Sequence, residues 1–191
     1  MTGHHGEFSG EPLTRWCTED CADRKMKLEE PFHYVDPEDK TWLAPEGCEI
    51  DGASIPRALW ALVGSPFTGD YRRASIVHDQ ACRDALGDLS KRRAADRMFF
   101  HACRAGGCTV EEATTLYLGV RIGAMVDLPL WRDCLQESYA PRPRTSIPAR
   151  ERSIEADFRV AAELLAEEEP TDDPAQLEAR VNQVLEKVVK Q

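Results

Sequence analysis

The stretch from Tyr71 to Gly107 constrains the fold most, because it reads as two amphipathic helices with almost no chain between them. In the first, Ala74, Val77, His78, Ala81, Cys82 and Ala85 recur at the i, i+3, i+4, i+7 spacing of a buried face. Gly87-Asp88 supplies a break and Ser90 is the expected N-cap of the second helix. There Ala95, Met98, Phe99, Ala102 and Cys103 repeat the pattern until Gly106-Gly107 ends it. So short a connection makes the helices antiparallel neighbours. Paired positions in a hairpin keep a constant sum, so setting His78 opposite Asp96 places Cys82 opposite Arg92 and Tyr71 opposite Cys103. A histidine on an apolar face, followed by one carboxylate (Asp79) and facing another (Asp96), is the sharpest chemical feature of the sequence.

Ahead of this hairpin the pattern is that of strands. Met26, Leu28, Phe32 and Tyr34, then Trp42 and Leu43, flank a turn at Asp36-Pro37-Glu38-Asp39. They predict a β-hairpin whose first, edge strand is interrupted by Pro31. Ala44-Pro45-Glu46-Gly47 is a second turn, and Cys48-Glu49-Ile50 extends the strand. Asp51-Gly52 then leads to Ser54 as N-cap of a short helix with Pro56 near its start and Gly64 as its stop. Beyond the central hairpin, Thr109-Val110-Glu111-Glu112 is a capping box for a third helix reaching about Asp127. Helical patterns resume from Ile154 to Glu168 and again from Asp173-Pro174, the latter carrying Leu177, Val181, Val184, Leu185 and Val188.

The expected organisation is a loose arm (1–23), a core domain (24–138), a Pro- and Arg-rich linker (139–150) and a helical tail (151–191). The fold class is α+β, an N-terminal β-hairpin or small sheet packed on an antiparallel helical bundle. The linker composition marks a boundary, so the tail is expected to be dispensable for folding. Its narrow apolar seam suits docking on its own domain, on a partner helix or on a second copy.

Charge and cysteines narrow the function. A net charge of -10 opposes binding by phosphate neutralisation, so nucleic acid is not an expected partner. No stretch is apolar for long enough to span a bilayer, and Met1–Gly10 lacks the apolar core of a signal peptide, which points to the cytoplasm. The odd count of seven cysteines argues against a disulfide framework. Cys17, Cys21, Cys48 and His33 are spaced too loosely for structural zinc and read as loop or small-core groups.

An imidazole, with an ordinary pKa of about 6.5, takes a proton from water near neutrality when its other nitrogen is held. Asp96 across the hairpin can supply that hold. Asp79, about a quarter-turn from His78, is placed to bind a hard cation that polarises a carbonyl. These three side chains make a hydrolytic site without a covalent nucleophile. The competing reading is a core histidine, with Asp96 paired to Arg92 or Arg93. A zinc set of His78, Asp79 and Asp51 is disfavoured, since two carboxylates and one histidine suit a harder cation.

The run HDQAC, then Arg92, Arg93, Asp96, Phe99 and Phe100, resembles the helical pair of phospholipase A2-type enzymes, including the parvoviral capsid form. That resemblance implies that His78 activates water, Asp79 binds Ca2+ and Asp96 orients His78, with a lipid or other ester as substrate. It is confined to the hairpin and departs from the pattern twice. Cys82 stands where those enzymes carry a tyrosine, and the YxGxG calcium loop is missing, with Gly64–Gly69 the only stand-in. A longer resemblance spans about 24–126: a strand pair, APEG, DGASIPRALW, AxxxHD, RxxAD and YLGVRIGA. This order is similar to a family of uncharacterised phage and bacterial proteins of unknown function, and implies a phage or prophage setting. Asp51 holds a signature position there, read as a cap of the Ser54 helix ahead of a place at the mouth of the His78 site. Two functions are therefore expected: a phospholipase A2-like, calcium-assisted hydrolase using His78, Asp96 and Asp79, or a phage-associated structural or accessory module whose His–Asp pair serves only the core.

Overall fold

The computed structural model of the chain describes residues 5–17, 25–52, 55–65, 67–127 and 149–189. Among them, six short strands precede six α-helices. The strands are β1 (Glu7–Phe8), β2 (Thr14–Trp16), β3 (Met26–Leu28), β4 (Phe32–Val35), β5 (Thr41–Ala44) and β6 (Glu49–Ile50). After a 3-10 turn (Arg57–Leu59) come α1 (Trp60–Val63), α2 (Arg72–Asp84), α3 (Leu89–Gly106) and α4 (Val110–Asp127). The last two helices are α5 (Ala149–Ala166) and α6 (Pro174–Val189). The fold is thus α+β with a C-terminal helical tail.

Two three-stranded antiparallel sheets form, in the orders β1-β4-β5 and β2-β3-β6. In the first, Phe32 faces Ala44 and Tyr34 faces Trp42 across the β4–β5 hairpin. Phe32 and Tyr34 alternate with half-buried His33 and Val35, as a one-sided strand requires. The turn is organised by Asp36, whose carboxylate accepts from the backbone N–H groups of Glu38 and Lys40 and from Trp42 Nε1. Asp39 takes the left-handed conformation at φ 60°, which Asp tolerates better than most residues.

The structure departs from the expected strands in two places. Met26–Leu28 does not continue into β4 but pairs with β6 in the second sheet, Met26 opposite Ile50. Pro31 ends one strand and starts another rather than merely denting an edge. The segment expected as a loose arm supplies β1 and β2, with Phe8 opposite Tyr34 and Thr14 opposite Leu28. Strands of two and three residues carry too little periodicity to be legible, and they exist because an edge was open to receive them.

The helical hairpin matches its expected pattern closely. α2 buries Ala74, Val77, His78, Ala81 and Cys82, and α3 buries Ala95, Asp96, Met98, Phe99, Ala102 and Cys103. The N-cap of α3 is Asp88, not Ser90: its carboxylate accepts from the N–H groups of Ser90 and Lys91. Gly107 closes the helix in the left-handed conformation at φ 113°. At Gly106 the end of α3 meets the approach to α2 so closely that a Cβ would run into the Asp70 carbonyl. α4 opens with the expected reciprocal box, Glu112 N–H to Thr109 Oγ1 at 3.2 Å and Thr109 N–H to Glu112 Oε2 at 2.7 Å.

The tail spends its apolar seam on its own chain. Phe158, Ala161, Leu177, Val181, Val184 and Leu185 are buried in the same core as α2–α4. Ion pairs from Arg97 to Glu178 and Arg104 to Asp172, both 2.8 Å, tie α3 to the tail. Among the described residues no helix is long and apolar enough to cross a membrane.

Candidate functional site

The antiparallel packing of α2 on α3 brings His78 Nε2 to 2.9 Å from Asp96 Oδ1, with both side chains wholly buried. This is the juxtaposition that the hairpin register predicts. The Phe99 ring lies against the imidazole, with centroids 4.7 Å apart. Asp96 has further partners. Arg92 Nε donates to Oδ1 from one turn earlier on α3, and Arg121 Nη1 donates to Oδ2 from α4, each at 3.3 Å. The Arg121 guanidinium reaches on to Asn182 Oδ1 on α6 at 3.1 Å. A single carboxylate therefore joins α2, α3 and α4, and Arg121 carries the network into the tail.

Burial by itself strips a proton from His78, while Cys82 and the hydrogen bond and charge of Asp96 work against it. The balance stands upward, at a pKa of about 10, which favours the protonated ring.

Asp79 turns away from this network. Its Oδ2 accepts the backbone N–H groups of Asp51 (3.0 Å) and Gly52 (3.1 Å), anchoring the loop after β6 onto α2. Oδ1 is buried with no hydrogen-bond partner among the described residues. Burial and the neighbouring Asp51 raise the Asp79 carboxyl to about 7, against the lowering effect of the Gly52 N–H and Arg83. Asp51 itself lies 4.0 Å from Arg83 Nη2. Its expected capping of the Ser54 helix falls on Ser54, outside the described residues.

On its β6 side, Asp79 meets donors rather than further oxygen ligands. A calcium shell needs converging carbonyl and carboxylate oxygens. The loop at Asp79 instead presents N–H donors, and Arg83 rather than an acceptor faces Asp51. His78, Cys82 and Asp96 do cluster closely enough to invite a softer ion. However, Cys82 Sγ stands almost equally far from the two ring nitrogens, 3.6 Å from Nδ1 and 3.5 Å from Nε2. A ligand sharing a metal with Nε2 lies out along that nitrogen's lone pair, far from Nδ1. The thiol is beside the ring, and Asp96 is already held by two guanidinium groups. The loose cysteine set is dispersed as well: Cys48 is buried between Gln80 Oε1 and Arg83 Nη1, each 3.2 Å from its Sγ, while Cys21 lies outside the described residues.

The sequence reading missed Arg121. Its mark was legible as a lone charge within the apolar run Leu116–Met125, since a charge on a buried helix is retained only with a partner.

Residues 26–120, which hold both strands of the β4–β5 hairpin and every member of the His78 network except Arg121 and Asn182, match a known family. Its description is "Protein of unknown function (DUF1353)". An uncharacterised protein of Sinorhizobium fredii, y4jT, is 35% identical over 118 residues, covering 60% of this chain and 33% of that protein. A second from the same organism, uncharacterised protein y4iH, is 34% identical over 99 residues, covering 52% of this chain and 40% of the relative. The chain thus corresponds to well under half the length of each of these relatives. No solved structure matches.

Proposed function

We propose that this domain is a non-catalytic structural or accessory module, in which the His78–Asp96 pair, clamped by Arg92 and Arg121, locks α2, α3 and α4 together. The observation that carries this reading is the complete burial of both members, with each Asp96 oxygen already engaged by a guanidinium. A general base has to touch the water it activates and has to be neutral to do so. His78 is poorly placed for both: it has no solvent face, and its raised pKa favours the protonated ring. Removing one partner from such a buried ionic set costs about 3–5 kcal/mol, because the remaining charges stay unpaired. The test combines an assay with a melt. Wild-type protein is expected to be inert on phospholipid vesicles and simple esters, with and without calcium. Urea unfolding of His78→Gln is expected to show a clear loss of stability. Hydrolysis by the wild type that disappears in a folded His78→Gln overturns the proposal.

One observation favours a second reading, an ester hydrolase of the phospholipase A2 kind. Bonding of Nε2 to Asp96 at 2.9 Å leaves Nδ1, with only the Cys82 thiol 3.6 Å away, as the nitrogen to act as base, in keeping with the resemblance of the hairpin. On that reading the ring must first lose its proton, so activity rises with pH toward about 10, and the hairpin must open a path to Nδ1. A lipid substrate belongs to this reading through the resemblance of the hairpin alone, while a phage setting belongs to the accessory module through the longer resemblance over about 24–126.

A further inference from the structure

Away from the His78 network, the N-terminal segment is fastened to the molecule by a pair of histidines. His5 Nδ1 lies 3.1 Å from His101 Nδ1 on α3. The ring centroids are 5.3 Å apart, longer than the N···N separation by about two ring radii, so the two nitrogens point at each other in line. An in-line N···N contact of this length suits one shared proton. Around the pair stand Asp36 from the turn after β4, Asp172 and Asp173 from the connection before α6, and Arg104 of α3, which binds Asp172 through two hydrogen bonds. His5 Nε2 is 3.3 Å from Asp172 Oδ2, an ion pair whenever His5 is charged. The same segment is held by Tyr34 OH donating to the His5 carbonyl. Gly6 at φ 82° lies so close to the Val35 carbonyl that no side chain fits there.

We propose that His5 and His101 form an acid-sensitive clasp that holds β1 on β4 and α3 and releases it when both rings are protonated. An N···N hydrogen bond needs one N–H and one bare nitrogen. With both rings neutral, one Nδ1–H donates to the other ring. A first added proton is also accommodated, because the pair still offers one N–H to one bare nitrogen. The second proton removes the acceptor and sets two N–H groups and two positive charges against each other. Burial and then His5 hold the His101 pKa below its ordinary 6.5, outweighing Asp36, Asp172 and Asp173. The folded chain therefore binds this proton more weakly than the unfolded one, so the fastening is intact above pH 6.5 and weakens as the pH falls through the lowered pKa.

Hydrogen exchange of the full chain from pH 8 to pH 5, corrected for intrinsic exchange rates, tests the clasp. Protection of the β1 amides is expected to drop by up to about tenfold per pH unit once the second proton binds, while α3 and α4 amides stay protected. His101→Gln offers both a donor and an acceptor to His5 without titrating, and is expected to keep β1 protected at pH 5. His5→Gln gives the same expectation from the other side and serves if His101→Gln does not fold. β1 protection that is constant over this range in the wild type, or that falls as much in the folded glutamine variants, overturns the proposal.

Discussion

His78 and Asp79 are adjacent, yet they face different parts of the interior, and their titrations act on stability in the same direction. The His78 pKa is raised from 6.5 to about 10, so its contribution is fully present below pH 6.5 and is lost as the pH climbs through 10. Asp79 is raised from 3.8 to about 7 by burial and Asp51. The folded chain keeps that proton between about pH 4 and pH 7 where the unfolded chain releases it, and above pH 7 it carries a buried anion at a cost. Stability to urea is therefore expected to decline from pH 5 to pH 9. Asp79→Asn should flatten the part of the decline below pH 7, since the amide still accepts the Asp51 and Gly52 N–H groups and carries no charge. His78→Gln should remove the part above it. Unfolding midpoints at pH 5, 7 and 9 for the three proteins check both statements, and an Asp79→Asn profile parallel to wild type refutes the first. At the same scale, Arg121→Met leaves the buried Asp96 Oδ2 without its charged donor, and a loss of about 3–5 kcal/mol is expected in urea unfolding.

At the scale of elements, the hairpin depends on its two ends. Asp88 caps α3 through two N–H groups, so Asp88→Ala is expected to cost about 1 kcal/mol. Ser90→Ala, at the residue that the sequence alone points to as the cap, is expected to stay within about 0.5 kcal/mol of wild type. Thermal melts of the two variants separate these positions directly. At the other end, Gly106→Ala drives a methyl group toward the Asp70 carbonyl and has to part α3 from the start of α2. A loss of about 1–3 kcal/mol is expected, as for other overpacked sites. Because His78 and Asp96 sit midway between these ends, the Gly106 variant should also disturb the histidine ring resonances of the buried pair, which the cap variant should leave in place.

For the whole molecule, the tail decides whether the helices of the core are covered. A chain ending at Asp127 exposes the surface on which Phe158, Leu177 and Val181 pack and removes the Arg97–Glu178 and Arg104–Asp172 pairs. Each such apolar side chain contributes about 1.5–3 kcal/mol when buried, so the truncated chain is expected to lose cooperative thermal unfolding. A sharp, unshifted melt of that chain refutes this and restores the linker as a true domain boundary. The α2–α3 hairpin, the meeting of His78 with Asp96, the Gly107 stop and the Thr109–Glu112 box were determined by the sequence by itself, because each rests on residues within a few turns of one another. The tertiary structure alone decided the rest. It turned Glu7–Phe8 and Thr14–Trp16 into strands, sent Met26–Leu28 to a second sheet, and spent the tail's seam on its own core. It also brought Arg121 to Asp96, beyond the Arg92 pairing that the i,i+4 spacing already offered, and sealed His78 from water. Those outcomes depend on which surfaces meet across long stretches of chain, and periodicity records that a face is buried but not what lies against it.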